Sequence, residues 1–188
     1  MAASARRGSP LSSREIYGEA LRLIDERGVE ALSMRKLAAE LDVNPMSLYH
    51  HVPNKEALLE GVCDLVISGI ELPADDAAPW QEQLKALGVG LRAIALAHPA
   101  LYPYLVSRPR LMRHDTVWEA QNRVLAAAGV PEERRPRIRN VLFAFTTGFL
   151  LTEINGVFPE PDDEAFDEAV DLIINGLSAY GSCGESGA

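Results

Sequence analysis

Basic residues, cysteines, long apolar runs and strand-like alternation are all in short supply in this chain, and each shortage removes a class of answer. Eighteen Lys and Arg face 27 Asp and Glu, a formal net charge of −9. Taken as a whole, that balance argues against a nucleic-acid binder, because phosphate contacts come from Lys and Arg. Two cysteines, Cys63 and Cys183, make neither a disulfide framework nor a zinc spacing, which suits a reducing, cytoplasmic setting. No apolar stretch approaches the roughly 20 residues of a membrane helix. Residues 1–10 are small and basic with no apolar stretch behind them, so no signal peptide and no membrane partner are expected. No segment sustains period-two alternation, and no internal repeat occurs. A P-loop, Rossmann glycines, HExxH and a Ser or Cys nucleophile beside an obvious base are all missing, which counts against an enzyme.

What remains is an ordinary globular composition, 47% hydrophobic and 24% charged over 188 residues. That length allows one medium domain, or a small domain joined to a larger one. Charge is distributed unevenly. Residues 1–55 hold eight basic against seven acidic side chains, and residues 56–188 hold ten against twenty. The acidity therefore belongs to the back two-thirds.

Punctuation in the front segment predicts short helices. Ser12-Ser13-Arg14-Glu15 fits a capping box, and Ile16, Ala20, Leu23 and Ile24 then recur on one helical face up to Arg27-Gly28. Ser33 opens a second helix whose buried face is Leu37, Ala38 and Leu41. After the turn Asp42-Val43-Asn44, the pair Asn44-Pro45 opens a third, which Val52-Pro53 ends. Asn54 caps a fourth helix, expected over 55–70. Two short helices across a three-residue turn, braced by a longer one, make a helix-turn-helix layout.

On the third helix Leu48 is the inward anchor. Pro45, Met46, Ser47, Tyr49 and His50 are left for solvent or a ligand. In a major groove the hydroxyls reach phosphates or base edges, and Pro and Met touch thymine methyls. Arg35, near the start of the second helix, and Lys55, with the N-terminal amides of the fourth, suit backbone phosphates. The plainer alternative is a helical hairpin of a larger bundle, with Tyr49 half-buried and His50 and His51 solvated. Arg6 and Arg7 precede the first helix, either as a solvated tail or as a phosphate or minor-groove contact.

Residues 13–62, and above all Ser33 to Lys55 with Leu48-Tyr49-His50-His51-Val52-Pro53-Asn54-Lys55 and the following Ala57-Leu58-Leu59, resemble the DNA-binding domain of the TetR family of bacterial repressors. The resemblance implies operator contacts at Arg35, Pro45, Met46, Ser47, Tyr49, His50, His51 and Lys55. Pro45 and His50 fall where the tetracycline-binding members carry a glutamine and a tryptophan, so the operator sequence should differ.

Behind a linker at 72–79 only helices are expected, at 80–97, 99–106, 116–128, 131–155 and 163–180. The fold class is all-α: a basic arm (1–11), a helix-turn-helix domain (12–55), a connecting helix (56–71), a helical regulatory and dimerisation domain (80–180) and a frayed tail (181–188). The run Val141 to Leu151 is apolar nearly all round, so a partner chain or ligand should cover what its own core does not. Its order of helices, with Trp80, His98 and Ser107-Arg108-Pro109, resembles the family's regulatory domain. A homodimer through a four-helix bundle is therefore expected at Phe145, Phe149, Thr152, Leu172, Ile173, Gly176 and Leu177. The other reading is a monomer whose long helix is central.

Large apolar and amide side chains on converging helices predict a small-molecule pocket. They are Leu87, Leu91, Tyr104, Ser107, Met112, Trp118, Gln121, Asn122, Phe143, Thr147 and Leu150, with Ile94 beside them. For any one Leu or Phe, ordinary core is the commoner role. By the resemblance, Gln121 matches a drug-contacting glutamine, but Tyr104 stands where the tetracycline-binding members have a metal-coordinating histidine. Leu87 stands at a ligand-binding asparagine, and Ser107 replaces a threonine. A mostly apolar effector is expected, with no metal and no cofactor, since His98 and His114 lack a ligating partner at helical spacing. The reading is a dimeric, effector-released repressor of a palindromic operator. An all-α adaptor, or an enzyme using Glu153 or Tyr104 in the pocket, stands as the alternative.

Overall fold

The computed structural model describes residues 11–71, 78–108, 115–158 and 162–183, without the side chains of 115, 116 and 181–183. Among them are nine α-helices and no strand: α1 (Ser13–Arg27), α2 (Met34–Glu40), α3 (Pro45–His51), α4 (Lys55–Ile67), α5 (Trp80–Ala97), α6 (Tyr102–Val106), α7 (Asp115–Ala127), α8 (Arg135–Ile154) and α9 (Asp163–Cys183). The chain divides into two compact units. One takes the described residues up to Gly69 together with those from His98 to Arg108, and the other takes the rest.

In the first unit local chemistry sets each boundary. The Ser12 side chain accepts from the Glu15 amide while Glu15 reaches back to the Ser12 amide at 3.0 Å, the reciprocal pair anticipated from sequence. α1 ends at Gly28, whose φ of 81° and ψ of 160° lie in a region essentially reserved for glycine. Ser33 caps α2 by accepting from Lys36, and Asn44 caps α3 by accepting from Met46 ahead of Pro45 at the first helical positions. Asp42 supplies the left-handed residue of the turn, with φ 53°. Ile16, Ala20, Leu23, Ile24, Met34, Leu37, Ala38, Leu48, Val52, Leu58 and Val62 form the core.

Four boundaries differ from the sequence expectation by three residues or more. α6 begins at Tyr102, after the turn in which Leu101 donates to the His98 carbonyl, rather than at 99. α4 stops at Ile67, where Ser68 and Gly69 turn back onto Asp64 and Val66, rather than running to 70. α8 starts at Arg135, after a 3-10 turn at Glu132–Arg134, because Pro136 fits only in a first helical turn. α9 continues to Cys183, so helix covers the first residues of the expected tail. The segment from His98 also sits with the first unit instead of the regulatory domain. Leu101, Tyr102 and Leu105 are buried there, and His98 Nδ1 lies 2.9 Å from Asp25 Oδ2 on α1.

The second unit packs α5 against α7, α8 and α9. One core gathers Leu84, Val124, Leu125, Ala128, Val130, Leu142 and Leu177, with Trp80, Ile138, Ile173, Ile174 and Tyr180 against it. Gly90 lets Ile70 lie directly on α5, since a Cβ there would come within 2.6 Å of Ile70 Cγ2.

Candidate nucleic-acid interface and effector-side residues

α3 owes its orientation to a single side chain. Leu48 is fully buried, and Val52, which closes the helix by donating its amide to the Leu48 carbonyl at 3.0 Å, is buried too. Pinned on that side, the seven-residue helix leaves Pro45, Met46, Ser47, Tyr49, His50 and His51 exposed together. Met46 is 64% exposed and Tyr49 44%, high values for large apolar surfaces that nothing in the unit covers. Arg35, one residue into α2, is exposed as well. No acidic residue lies on α3 or in its first turn. The surface thus has hydroxyl and imidazole donors and acceptors, two small apolar contacts and a cation, on a rigid element narrow enough for a major groove.

Lys55 is placed differently. Its ammonium donates to the Val29 carbonyl at 2.9 Å and is partly buried, tying the start of α4 to the turn after α1. Asn54 accepts from the Ala57 amide at 2.8 Å. This anchoring was invisible in the sequence because donor and acceptor are 26 residues apart.

The residues expected around an effector are split between the two units. Tyr104 and Ser107 belong to the first, where Ser107 Oγ donates to the Tyr104 carbonyl at 2.8 Å and the Arg108 guanidinium lies 4.9 Å from the Tyr104 ring centre. Burial raises the Tyr104 hydroxyl pKa, and the nearby Arg108 opposes that shift. Met112 lies outside the described residues. In the second unit Leu87 and Leu91 of α5, Trp118, Gln121 and Asn122 of α7, and Phe143, Thr147 and Leu150 of α8 stand on three helices that pack on one another. Leu87, Leu91 and Leu150 are buried; the others are half-buried. Sequence reasoning missed Arg139. Its guanidinium stacks 3.4 Å from the Trp118 ring centre and donates to Asn122 Oδ1 at 2.7 Å. The signal was there, since a half-buried amide needs a partner.

A second charged group was also missed. Arg92 is buried on α5, with Nε 3.0 Å from Glu153 Oε2 and Nη2 2.7 Å from Glu153 Oε1. Hydrogen bonding to Glu153 raises the arginine pKa further, so it stays charged despite its burial. Glu153, a candidate pocket acid by sequence, has both its oxygens committed to Arg92.

The outer faces of α8 and α9 carry exposed apolar residues. Leu172 is 75% exposed, Val141 62% and Phe145 38%, while a Cβ at Gly148 or Gly176 would meet nothing within 4 Å. Phe149, Thr152 and Ile173 are half-buried; Phe149 stacks on Phe145, Phe158 and Phe166 of its own chain, and Thr152 donates back to the Phe149 carbonyl. Leu177 departs from the expectation of an interface. At 4% exposure it is filled in among Leu84, Leu125 and Leu142, because α9 turns that stripe inward. Val141 takes its place among the outward residues. No group of three or more potential metal ligands occurs among the described residues, and no described helix is long and apolar enough to cross a membrane.

Residues 16–62 match the family model described as "Bacterial regulatory proteins, tetR family", and residues 72–165 match "Tetracyclin repressor-like, C-terminal domain". An HTH-type transcriptional regulator of Saccharopolyspora erythraea is 36% identical over 124 residues, 63% of this chain and 51% of the relative. The chain thus spans about half the length of that relative. Among solved structures, BioQ of Mycobacterium smegmatis superposes with a TM-score of 0.76 at 25% identity, covering 90% of this chain and 99% of that one. BioQ has also been solved with its natural double-stranded DNA operator, to which this chain is similar with a TM-score of 0.72. ActR of Streptomyces coelicolor in complex with actinorhodin gives 0.71 at 28% identity, covering 91% and 98%.

Proposed function

Because this chain belongs to the TetR family of bacterial regulatory proteins, we propose that it is a homodimeric, effector-released transcriptional repressor that reads a palindromic operator through α3. The observation that carries the reading is the division of labour on that helix: Leu48 alone is buried, and every neighbour able to touch a base or phosphate is exposed. Arg35, Pro45, Met46, Ser47, Tyr49, His50 and His51 make the operator contacts. Lys55 contributes the two ammonium protons that Val29 leaves over, together with the first amides of α4. Two copies joined by the outer faces of α8 and α9 carry two α3 helices to successive major grooves, about one DNA turn apart. Exposed Val141, Phe145 and Leu172, flanked by glycines open to a close helix approach, support that pairing.

The effector is a small, mostly apolar molecule among Leu87, Leu91, Phe143 and Leu150, with Gln121, Asn122 and Thr147 for its polar atoms. BioQ with its operator and ActR with actinorhodin make a DNA partner and a small-molecule partner reasonable expectations here. By linkage, the effector acts through tighter binding to the conformation that cannot hold DNA, and moving a 1:99 population to 99:1 takes about 5.5 kcal/mol of such preference. No metal, cofactor or catalytic step is part of the proposal. Selection of bound sequences from random DNA with the purified protein tests it. An enriched inverted repeat is the expected result, and no enrichment overturns it.

A further inference from the structure

Arg92 ties together elements that the dimer reading needs in register, yet it touches none of the residues on the outer face. It leaves α5 and lies between the end of α8 and the start of α9. One edge of its guanidinium holds Glu153, the penultimate residue of α8, and Nη1 holds Asp163, the first residue of α9, at 2.5 Å. Glu153 Oε1 also accepts from the Asp162 amide at 3.3 Å, so the same carboxylate anchors the residue whose side chain caps α9 at Ala165. A planar fork that satisfies carboxylates on two helices at once fixes both position and angle, which a single point charge cannot do.

The fork is continuous with the outward face through aromatic packing. The Arg92 guanidinium lies 5.0 Å from the ring centre of Phe166, a buried residue on α9. Gly88, one turn before Arg92, lies against the same ring, where a Cβ would make an ordinary contact of 3.5 Å with Phe166 Cζ. Phe166 meets Phe149 of α8 edge-on at 5.6 Å, and Phe149 meets exposed Phe145 at 6.2 Å. Shifting Arg92 therefore moves a ring stack that ends on the exposed surface.

We propose that Arg92, held by Glu153 and Asp163, is the positioning residue of the homodimer interface, setting α8 against α9 so that Val141, Phe145 and Leu172 present one matching surface to a second copy. The inference rests on the dimer reading above. Its chemistry is positional: the ion cluster faces its own chain, and the partner surface stays apolar.

The test measures the dimer dissociation constant by sedimentation equilibrium on the full chain, with far-UV circular dichroism as the fold control. Arg92→Met combined with Glu153→Gln removes both buried charges together, so no lone charge is stranded in the core. Expected is a rise of at least tenfold in the dissociation constant with helix content retained. Arg92→Lys, which keeps the charge and loses the fork, should fall between this variant and the native chain. Lys85→Gln is the matched control, because Lys85 and Asp167 also link α5 to α9, at 3.1 Å, through two half-exposed side chains. It should change the constant less than twofold. A native dimer that the double variant leaves within twofold overturns the positioning role alone, as does an equal effect from Lys85→Gln. A native chain that stays monomeric at micromolar concentration overturns the dimer reading and this inference with it. Should the double variant lose its helix content, Asp163→Asn decides instead. It cuts only the exposed arm of the cluster, and an unchanged constant there refutes the proposal.

Discussion

Truncating Leu48 and truncating its neighbour Tyr49 should separate stability from DNA affinity on a single helical turn. Leu48 has no exposed surface, so Leu48→Ala removes buried methyl groups and leaves a cavity, a change that costs about 2–5 kcal/mol in well-packed cores. Set against a typical total of roughly 5–15 kcal/mol, that is a large share of the available stability. Tyr49 is 44% exposed, and Tyr49→Ala should change stability by only about 1 kcal/mol or less. On operator DNA the order reverses in kind. Tyr49→Ala loses a base or phosphate contact in each half-site, worth about 1–3 kcal/mol per contact, or roughly five- to 150-fold in affinity for each half-site. Leu48→Ala should weaken DNA binding only as far as α3 is displaced, and the loss should shrink when the protein is kept far from its unfolding transition. Urea denaturation followed by circular dichroism gives the first quantity. Fluorescence anisotropy with the selected operator, at one fixed salt concentration, gives the second. If Tyr49→Ala destabilises the fold as much as Leu48→Ala, or leaves operator affinity within twofold, the orientation of α3 described above is wrong.

Three further outcomes follow from other parts of the chain. Gly28→Ala should cost about 1–3 kcal/mol in thermal or urea unfolding even though a Cβ there meets nothing within 4 Å, because the penalty lies in the backbone angles alone. Operator affinity should fall linearly with log salt. Arg35→Ala should lower the slope by roughly two units, one for each half-site, without loss of stability, whereas Lys55→Ala should lower both, having also lost its bond to Val29; a salt-independent affinity would refute the groove reading. Burial pushes the Cys63 thiol up to about 12, so in a Cys183→Ser background it should resist alkylation at mildly alkaline pH until the protein unfolds. The folded state then holds a proton that the unfolded thiol, titrating near 8.5, releases. Stability from this group is complete below about pH 8.5 and declines as pH rises toward 12, a slope that Cys63→Ala should flatten.

The helix starts were legible because a cap joins residues only two or three apart. Ser12 with Glu15, Ser33 with Lys36 and Asn44 with Met46 can all be read from spacing alone. Leu48 was legible as the inward anchor of α3 from the residues themselves, and it is buried; operator contacts at the exposed positions are what the family resemblance implies. Contacts that join distant segments left no such trace. Nothing local marks Lys55 as a partner for Val29, and Arg92 reaches Glu153 across 61 residues. Sequence period also cannot say which of two apolar stripes on one helix turns inward. Leu172 and Leu177 read alike on α9, yet Leu172 is 75% exposed and Leu177 is core. The same ambiguity hid Val141. Membership of a unit is likewise a matter of tertiary packing: the short segment after α5 packs with the first unit, although its place in the chain suggests the second.

The net charge of −9 can be squared with DNA binding once the acids of the first unit are located. Glu19, Glu26 and Glu40 converge on Arg22, and Glu40 also lies 3.6 Å from Arg27, so several of the carboxylates on α1 and α2 are neutralised by neighbours. Asp25 faces His98. Sequence places no carboxylate between Asp42 and Glu56, the stretch that holds all of α3. A reading surface therefore needs no large positive excess in its domain, only a patch from which negative charge has been withdrawn. The acidic majority in residues 56–188 then acts at longer range, as a salt-screened penalty on loose association with any polyanion. Specific binding gains contacts that offset this penalty, and non-specific binding does not. Replacing three exposed acids of the second unit, Glu82, Glu119 and Asp171, with their amides should thus raise affinity for random-sequence DNA proportionally more than for the operator. The gap should close above physiological salt. An equal rise for both at low salt would mean that the acidity contributes nothing to discrimination.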